Sequence, residues 1–269
     1  MTLKVALIQM EVVDNKQKNL EAAKKHIDEA AENGAKVVIL PEMFNTPYDN
    51  GCFPEYAEKY SGETTEFLKE LAKKLKITIV GGSIPEKDGD KIYNTSYVFS
   101  EIGELIAKHR KMHLFDISVE GGISFKESDV LTAGDSITLF ESGGVKFGLI
   151  ICYDIRFPEL SRKLVLEGVE AIIIPAAFNM TTGPAHWHLT ARARALDNQV
   201  YTLLCCQSRN ESSSYLAYGH SLAANPWGDI IDELQTEEGI LYIDIDLGFI
   251  KKVREELPLL KHRRPQLYI

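Results

Sequence analysis

Three residues of this chain are of types that, brought together, could attack an amide carbonyl: Glu42 in LPEMF, Lys111 in HRKMHLF and Cys152 in GLIICYDIRFPEL. A free thiol near its ordinary pKa of about 8.5 is only a few per cent thiolate at neutral pH, so Cys152 needs a base. Glu42 can be that base. Attack places negative charge on the carbonyl oxygen. The Lys111 ammonium and the backbone N–H of Tyr153, the residue after the thiol, fit its stabilisation, where losing one such donor costs about 3 kcal/mol. A proton returned by Glu42 lets the amine leave, and the same carboxylate can then activate the water that opens the thioester. Singly, each residue has a plainer reading. Cysteine is among the most buried residue types and often only packs. Glu42 after Pro41 reads as a rim carboxylate, and Lys111 among histidines and arginine as a solvated strand end. As a set, the three are chemically complete.

The elements around them look able to deliver them to one place. Cys152 follows the short apolar run 147–151, Glu42 follows VVILP, and AIIIPAAF is a third apolar run broken by proline at its loop. Proline cannot donate to a sheet ladder and marks a strand end. Further strands are expected at LKVALIQM, ITIVGGSIP, IYNTSYVFS, ELIAKHRK, SITLFES, VYTLLCCQS, GHSLAANP, DIIDEL and GILYIDIDL. Apolar spacing of three and four predicts helices over 19–32, 64–75, 158–166, 185–196 and 247–256, with Gly34 and Gly168 just past two of them as C-terminal caps. Runs such as VVIL and AIIIP suit strands covered on both faces, so an α/β sandwich follows. No Ser/Pro/Gly-rich linker or short repeat interrupts the chain, and one domain over 1–269 is expected.

Composition excludes several partners. A formal net charge of −9 and a pI near 5.4, with no basic stripe interleaved with aromatics, argue against nucleic acid. Four cysteines, Cys52, Cys152, Cys205 and Cys206, show no metal-type spacing and suit a reducing cytoplasm. The N-terminal run lacks a cleavage-site pattern, and no segment reaches membrane-span length. His186 and His188 fall at a helix start on different faces, so no metal is expected there. A Cys–His dyad using His113, His186 or His220 is the mechanistic rival to Glu42. Arg156 could meet a substrate carboxylate at two points or form a salt bridge with Asp154 or Glu159, and the residues alone do not choose.

LPEMF, HRKMHLF and CYDIRFPE, in that order, resemble the nitrilase (carbon-nitrogen hydrolase) superfamily over essentially the whole chain. NTPYD, FKES, FNMTTGPAHW, RARALDNQ and NPWGD resemble its omega-amidase branch in particular, although Ala176 stands where that branch would carry glycine. The resemblance implies a four-layer α-β-β-α sandwich, catalysis by Glu42, Lys111 and Cys152, and a second glutamate, Glu127, that holds Lys111. It also implies a substrate pocket lined by Tyr48, Arg156, Phe178 and Thr182. The substrate class it implies is the terminal amide of a short dicarboxylate monoamide, such as 2-oxoglutaramate or 2-oxosuccinamate, with no cofactor and a homodimeric assembly. A nitrilase, a carbamoyl-amino-acid hydrolase or another amidase would use the same triad, and an inactive binding protein is the alternative from another class.

Overall fold

In the computed structural model, which describes residues 2–213 and 215–268, the apolar runs form two sheets face to face. The first has the order Gly239–Asp246, Thr2–Gln9, Val37–Ile39, Thr78–Val80, Lys91–Phe99 and Ile84–Asp88, and Leu105–Arg110 also pairs with Lys91–Phe99. The second runs Ile230–Glu233, Leu222–Ala224, Tyr201–Cys206, Ala171–Ala176, Val145–Leu149 and Thr138–Ser142. In both, the central strands are parallel and the edges antiparallel. Parallel strands need cover on both faces, and the period-2 alternation supplies it. Val5, Leu7, Val37 and Ile39 point between the sheets and meet Phe147, Leu149, Ile173 and Leu203. Their neighbours Ala6, Ile8, Val38 and Leu40 point outward against Leu20 and Ile27 of the helix Lys16–Glu32 and Leu68 of Glu63–Leu75. On the far side, Ile172, Ile174 and Leu204 pack under Leu164 of Pro158–Leu166 and Trp187 of Gly183–Asn198. The four layers are therefore α-β-β-α, as expected.

The departures have local causes. ITIVGGSIP, expected as one strand, is two: Thr78–Val80 and Ile84–Asp88 are separated by a turn in which Gly82 has φ +52. The two halves pair with opposite ends of Lys91–Phe99. The first helix begins at Lys16 rather than residue 19, because the Asn15 side chain accepts from the Lys18 N–H and caps it. Gly183 and Pro184 open the helix expected from 185. The hairpin Asp116–Ser118 with Ser124–Lys126 was not anticipated, since three-residue strands carry too little alternation to read. Gly34 and Gly168 do have positive φ, at +84 and +93.

Candidate active site

Glu42, Cys152 and Ala177 all leave the C-terminal ends of central parallel strands, where layered α/β folds gather their chemistry. Glu42 is fully buried. Its Oε1 accepts from Lys111 Nζ and Asn94 Nδ2, both at 2.8 Å, and its Oε2 from the Ala177 N–H at 2.9 Å. Gln207 Nε2 holds its carbonyl oxygen at 2.7 Å. Lys111, equally buried, lies 2.9 Å from both Glu127 oxygens, and among the described residues its remaining hydrogen bond is a long one to Tyr48 Oη at 3.4 Å. Glu127 opens a short 3-10 turn and is also buried. It accepts from Tyr48 Oη at 2.7 Å and from the Phe115 N–H at 2.7 Å. Such burial of charge is tolerable only where each ion is paired and hydrogen-bonded.

Two close backbone approaches set the loops that carry these side chains. A Cβ on Gly82 would stand 2.0 Å from the Pro41 carbonyl oxygen, and one on Gly134 would stand 2.3 Å from that of Arg110. Gly134 also donates its N–H to the Lys111 carbonyl at 2.8 Å. Only glycine lets the chain press against the peptides just before the acid and the lysine.

Cys152 opens the 3-10 turn Cys152–Arg156 with φ +46, a left-handed conformation costly for a residue with a side chain. The turn's first bond runs from the Asp154 N–H to the Ile151 carbonyl, which leaves the Tyr153 N–H ahead of the turn's own bonding. The thiol lines a narrow cleft with Phe115, Tyr153, Arg156, Ala177, Phe178, Thr182 and Tyr215. Larger surface clefts elsewhere do not border Glu42, Lys111 or Cys152.

Burial pushes the Cys152 thiol well above its ordinary range, and the Glu42 charge adds to this while Lys111 opposes it. Burial likewise raises Glu42, with Lys111 opposing and Glu127 reinforcing. Burial alone would lower Lys111, but the Glu127 and Glu42 carboxylates outweigh it and hold the ammonium charged. The resting arrangement is a neutral thiol beside a carboxylate of raised basicity, not a preformed thiolate.

Arg156, Phe178 and Thr182 border the cleft, as does Tyr153. Tyr48 packs its ring against Phe53, Phe125 and the cleft-lining Tyr215, and its hydroxyl braces Glu127 and lies 3.4 Å from Lys111 Nζ. The salt bridge proposed between Arg156 and Asp154 is absent because Asp154 is already engaged, by His109 Nε2 at 3.3 Å, His113 Nδ1 at 2.8 Å and the Ile151 N–H at 3.0 Å. Those contacts hold its carboxyl well below the usual range, against burial. No carboxylate pairs with Arg156 among the described residues, and its Nε is buried without a partner.

None of the rival histidines hydrogen-bonds Cys152 among the described residues. His113 is tied to Asp154 and stacked on Phe157, His186 meets Arg156 and His220 meets Glu233. One cluster of metal-type ligands occurs among the described residues, His188, His220 and Glu233, where both imidazoles already bond Glu233 Oε1 at 2.9 and 2.6 Å, away from the cleft lining. Sequence reasoning missed Asn94 and Gln207, and the engagement of Asp154 by His109 and His113. A signal existed for Asn94: a polar side chain midway along IYNTSYVFS, in a strand buried on both faces.

A four-layer sandwich with an acid, a lysine and a thiol converging at its strand ends defines the class of fold and site. The family model for carbon-nitrogen hydrolases matches residues 4–255, and the chain belongs to that family. It is 51% identical to omega-amidase NIT2 of Danio rerio, over 98% of this chain and 96% of that protein. To omega-amidase NIT2 of Homo sapiens it is 48% identical, over 99% and 97%. The crystal structure of Saccharomyces cerevisiae Nit3, a member of branch 10 of the nitrilase superfamily, superposes with a TM-score of 0.90 at 45% identity, covering 98% of this chain and 97% of that one.

Proposed function

We propose that this carbon-nitrogen hydrolase is an omega-amidase, releasing ammonia from the terminal amide of short dicarboxylate monoamides such as 2-oxoglutaramate and 2-oxosuccinamate. Glu42 takes the Cys152 proton as the sulfur attacks the amide carbon. The oxygen that gains charge is met by the Tyr153 N–H and by the Lys111 proton that makes the long Tyr48 contact. Glu42 returns the proton to nitrogen, the carbon–nitrogen bond breaks and ammonia leaves a thioester on Cys152. Water deprotonated by Glu42 then attacks that carbonyl, and the sulfur leaves and regains its proton. Glu127, braced by Tyr48 and the Phe115 N–H, keeps Lys111 charged and in place.

The observation that carries the substrate class is Arg156, a cation on the wall of the nucleophile's cleft with no carboxylate paired to it among the described residues. Phe178 and Thr182 complete that wall. The test is ammonia release from a panel of monoamides, neutral amides of equal length, nitriles and carbamoyl amino acids, with wild type and Arg156→Lys. Lysine replaces a planar fork by a point charge. The expected loss is about ten- to a hundredfold in kcat/KM, confined to carboxylate-bearing amides. Equal loss on neutral amides would mean that Arg156 supports architecture rather than reading an acid. Mass spectrometry should trap the acyl group on Cys152, and an adduct on another cysteine would overturn the nucleophile.

We also propose a homodimer, supported by apolar side chains left exposed on the outer helices and C-terminal segment, Leu166, Leu189, Leu196, Leu257, Leu267 and Tyr268. Light scattering showing a monomer at micromolar concentration would refute it. The four free thiols suit the reducing cytoplasm proposed for it, and among the described residues no helix is long and apolar enough to cross a membrane.

A further inference from the structure

A guanidinium selects a carboxylate by its plane, so the fork has to be held at a fixed rotation. Elsewhere in this molecule Arg110 shows the two-point grip: its Nε and Nη2 edge meets the Glu86 carboxylate at 2.8 and 2.9 Å. In Arg156 that same edge has no protein partner among the described residues, and its Nε is buried. The opposite corner is taken, because Nη1 lies 3.0 Å from Nδ1 of His186. The fork is otherwise held only by ring faces, with its centre 4.9 Å from the Phe178 ring and 5.6 Å from the Tyr153 ring. Ring faces restrain the tilt of the plane but leave rotation within it free.

We infer that His186 is a positioning residue for substrate selection: its Nδ1 lone pair fixes the rotation of the Arg156 fork so that the Nε and Nη2 edge faces the cleft. This rests on the reading of Arg156 as the clamp for the substrate's carboxylate. Arginine does not give up its proton in proteins, so in this hydrogen bond Nδ1 is the acceptor. His186 stands in the first turn of Gly183–Asn198, four residues after Thr182 of the cleft wall, and its N–H bonds the Thr182 carbonyl at 2.9 Å. The helix start therefore carries the histidine and the wall together. Packing does not explain the imidazole. His186 is exposed and its side chain makes no other hydrogen bond among the described residues, whereas its neighbour Trp187 is buried and donates to the His220 carbonyl at 2.6 Å.

The test compares His186→Ala, His186→Asn and Arg156→Lys with wild type, measuring kcat and KM for succinamate and for neutral butyramide, with melting temperatures confirming the fold. In the alanine variant KM for succinamate should rise about three- to tenfold, and the succinamate-to-butyramide ratio of kcat/KM should fall by a similar factor. Asparagine can place Oδ1 near the position of Nδ1 and should restore most of the ratio. If His186→Ala leaves the ratio unchanged while Arg156→Lys lowers it, the inference falls and the reading of Arg156 stands. The inference also falls if His186→Ala lowers both substrates equally, or if asparagine is no better than alanine. If Arg156→Lys itself leaves the ratio unchanged, the carboxylate clamp fails, and the role of His186 fails with it.

Discussion

Replacing Glu42 by glutamine should separate its chemical role from its structural one, because two readouts move in opposite directions. The carboxylate accepts from three donors, Lys111, Asn94 and the Ala177 N–H. Glutamine can keep an oxygen for Lys111 and Asn94, but its NH2 then faces the Ala177 N–H, a donor against a donor, costing about 1 to 3 kcal/mol of stability. Lys111 keeps Glu127 and stays charged. With no base, kcat/KM should fall about a thousandfold, the middle of the range for general base catalysis and about 4 kcal/mol of barrier. The thiol responds the other way. Burial is the largest cause of its raised pKa, but the Glu42 charge adds to it while Lys111 opposes. Removing Glu42 should therefore make Cys152 more acidic, and its alkylation by iodoacetamide should shift to lower pH. Turnover is read by ammonia release, the thiol by the pH dependence of alkylation, and the fold by denaturant unfolding. Retained hydrolysis within tenfold of wild type, or a thiol that titrates higher, would refute the reasoning.

Glu127→Gln should lower kcat about ten- to a hundredfold by loosening Lys111. Because Glu127 is among the groups that raise Glu42, the acid limb of the pH–rate profile should also move to lower pH; a limb that moves upward contradicts the coupling. Gly82→Ala should destabilise the fold by roughly 2 to 4 kcal/mol in urea unfolding, since the new methyl meets the Pro41 carbonyl at a positive φ; a cost below about 1 kcal/mol would show that the loop can give way. Glu86 is held down to about 2, against burial, by Arg110, Lys108 and Thr95. A carboxyl lower in the folded than in the unfolded state stabilises above its ordinary 4.5 and loses that stability as pH falls toward about 2. Glu86→Gln should accordingly flatten the acid limb of stability by roughly 1 to 2 kcal/mol, discounted because Lys108 and Arg110 are partly solvated. An unchanged limb would show that the cluster contributes nothing.

What the chain discloses about this site follows from where each residue sits in a pattern. Glu42 and Cys152 each interrupt an apolar run at its end, so their positions at strand ends are legible. Lys111 is harder, since a lysine beside histidines and arginine is usually solvated. Its burial comes from acids 69 and 16 residues away that no local pattern connects to it. The bracing of Glu127 by Tyr48, and of Glu42 by Asn94 and Gln207, is likewise long-range. Asp154 shows the limit well: adjacent to the nucleophile's neighbour, it offered itself as a partner for Arg156, yet two histidines from the strand and loop at 109–113 occupy it. The layers were readable because alternation fixes which side chains face helices and which face the other sheet. The split at Gly82 was not, since a glycine pair in an apolar run looks the same whether it bends a strand or ends it.

Lys111 and Arg156 are consequently not interchangeable. Lys111 has spent two of its three protons on carboxylates at 2.8 and 2.9 Å, and the surplus negative charge around it would repel a substrate's acid group. What remains is one proton with a long contact to Tyr48, enough for a carbonyl oxygen whose charge grows only during attack. Arg156 has the reverse character. Among the described residues it has no anion to neutralise it and its two-point edge is unpaired, while desolvation lowers its pKa without removing its charge. Had Asp154 been free, Arg156 would have been neutralised in the ground state and could have bound a carboxylate only by breaking that pair. Engaging Asp154 with His109 and His113 keeps the arginine open to an anion from outside. On the proposed roles, substrate selection and bond cleavage draw on different positive groups, separated by the turn from Cys152 to Arg156, so a change that relaxes specificity at Arg156 should leave the acid, lysine and thiol in place.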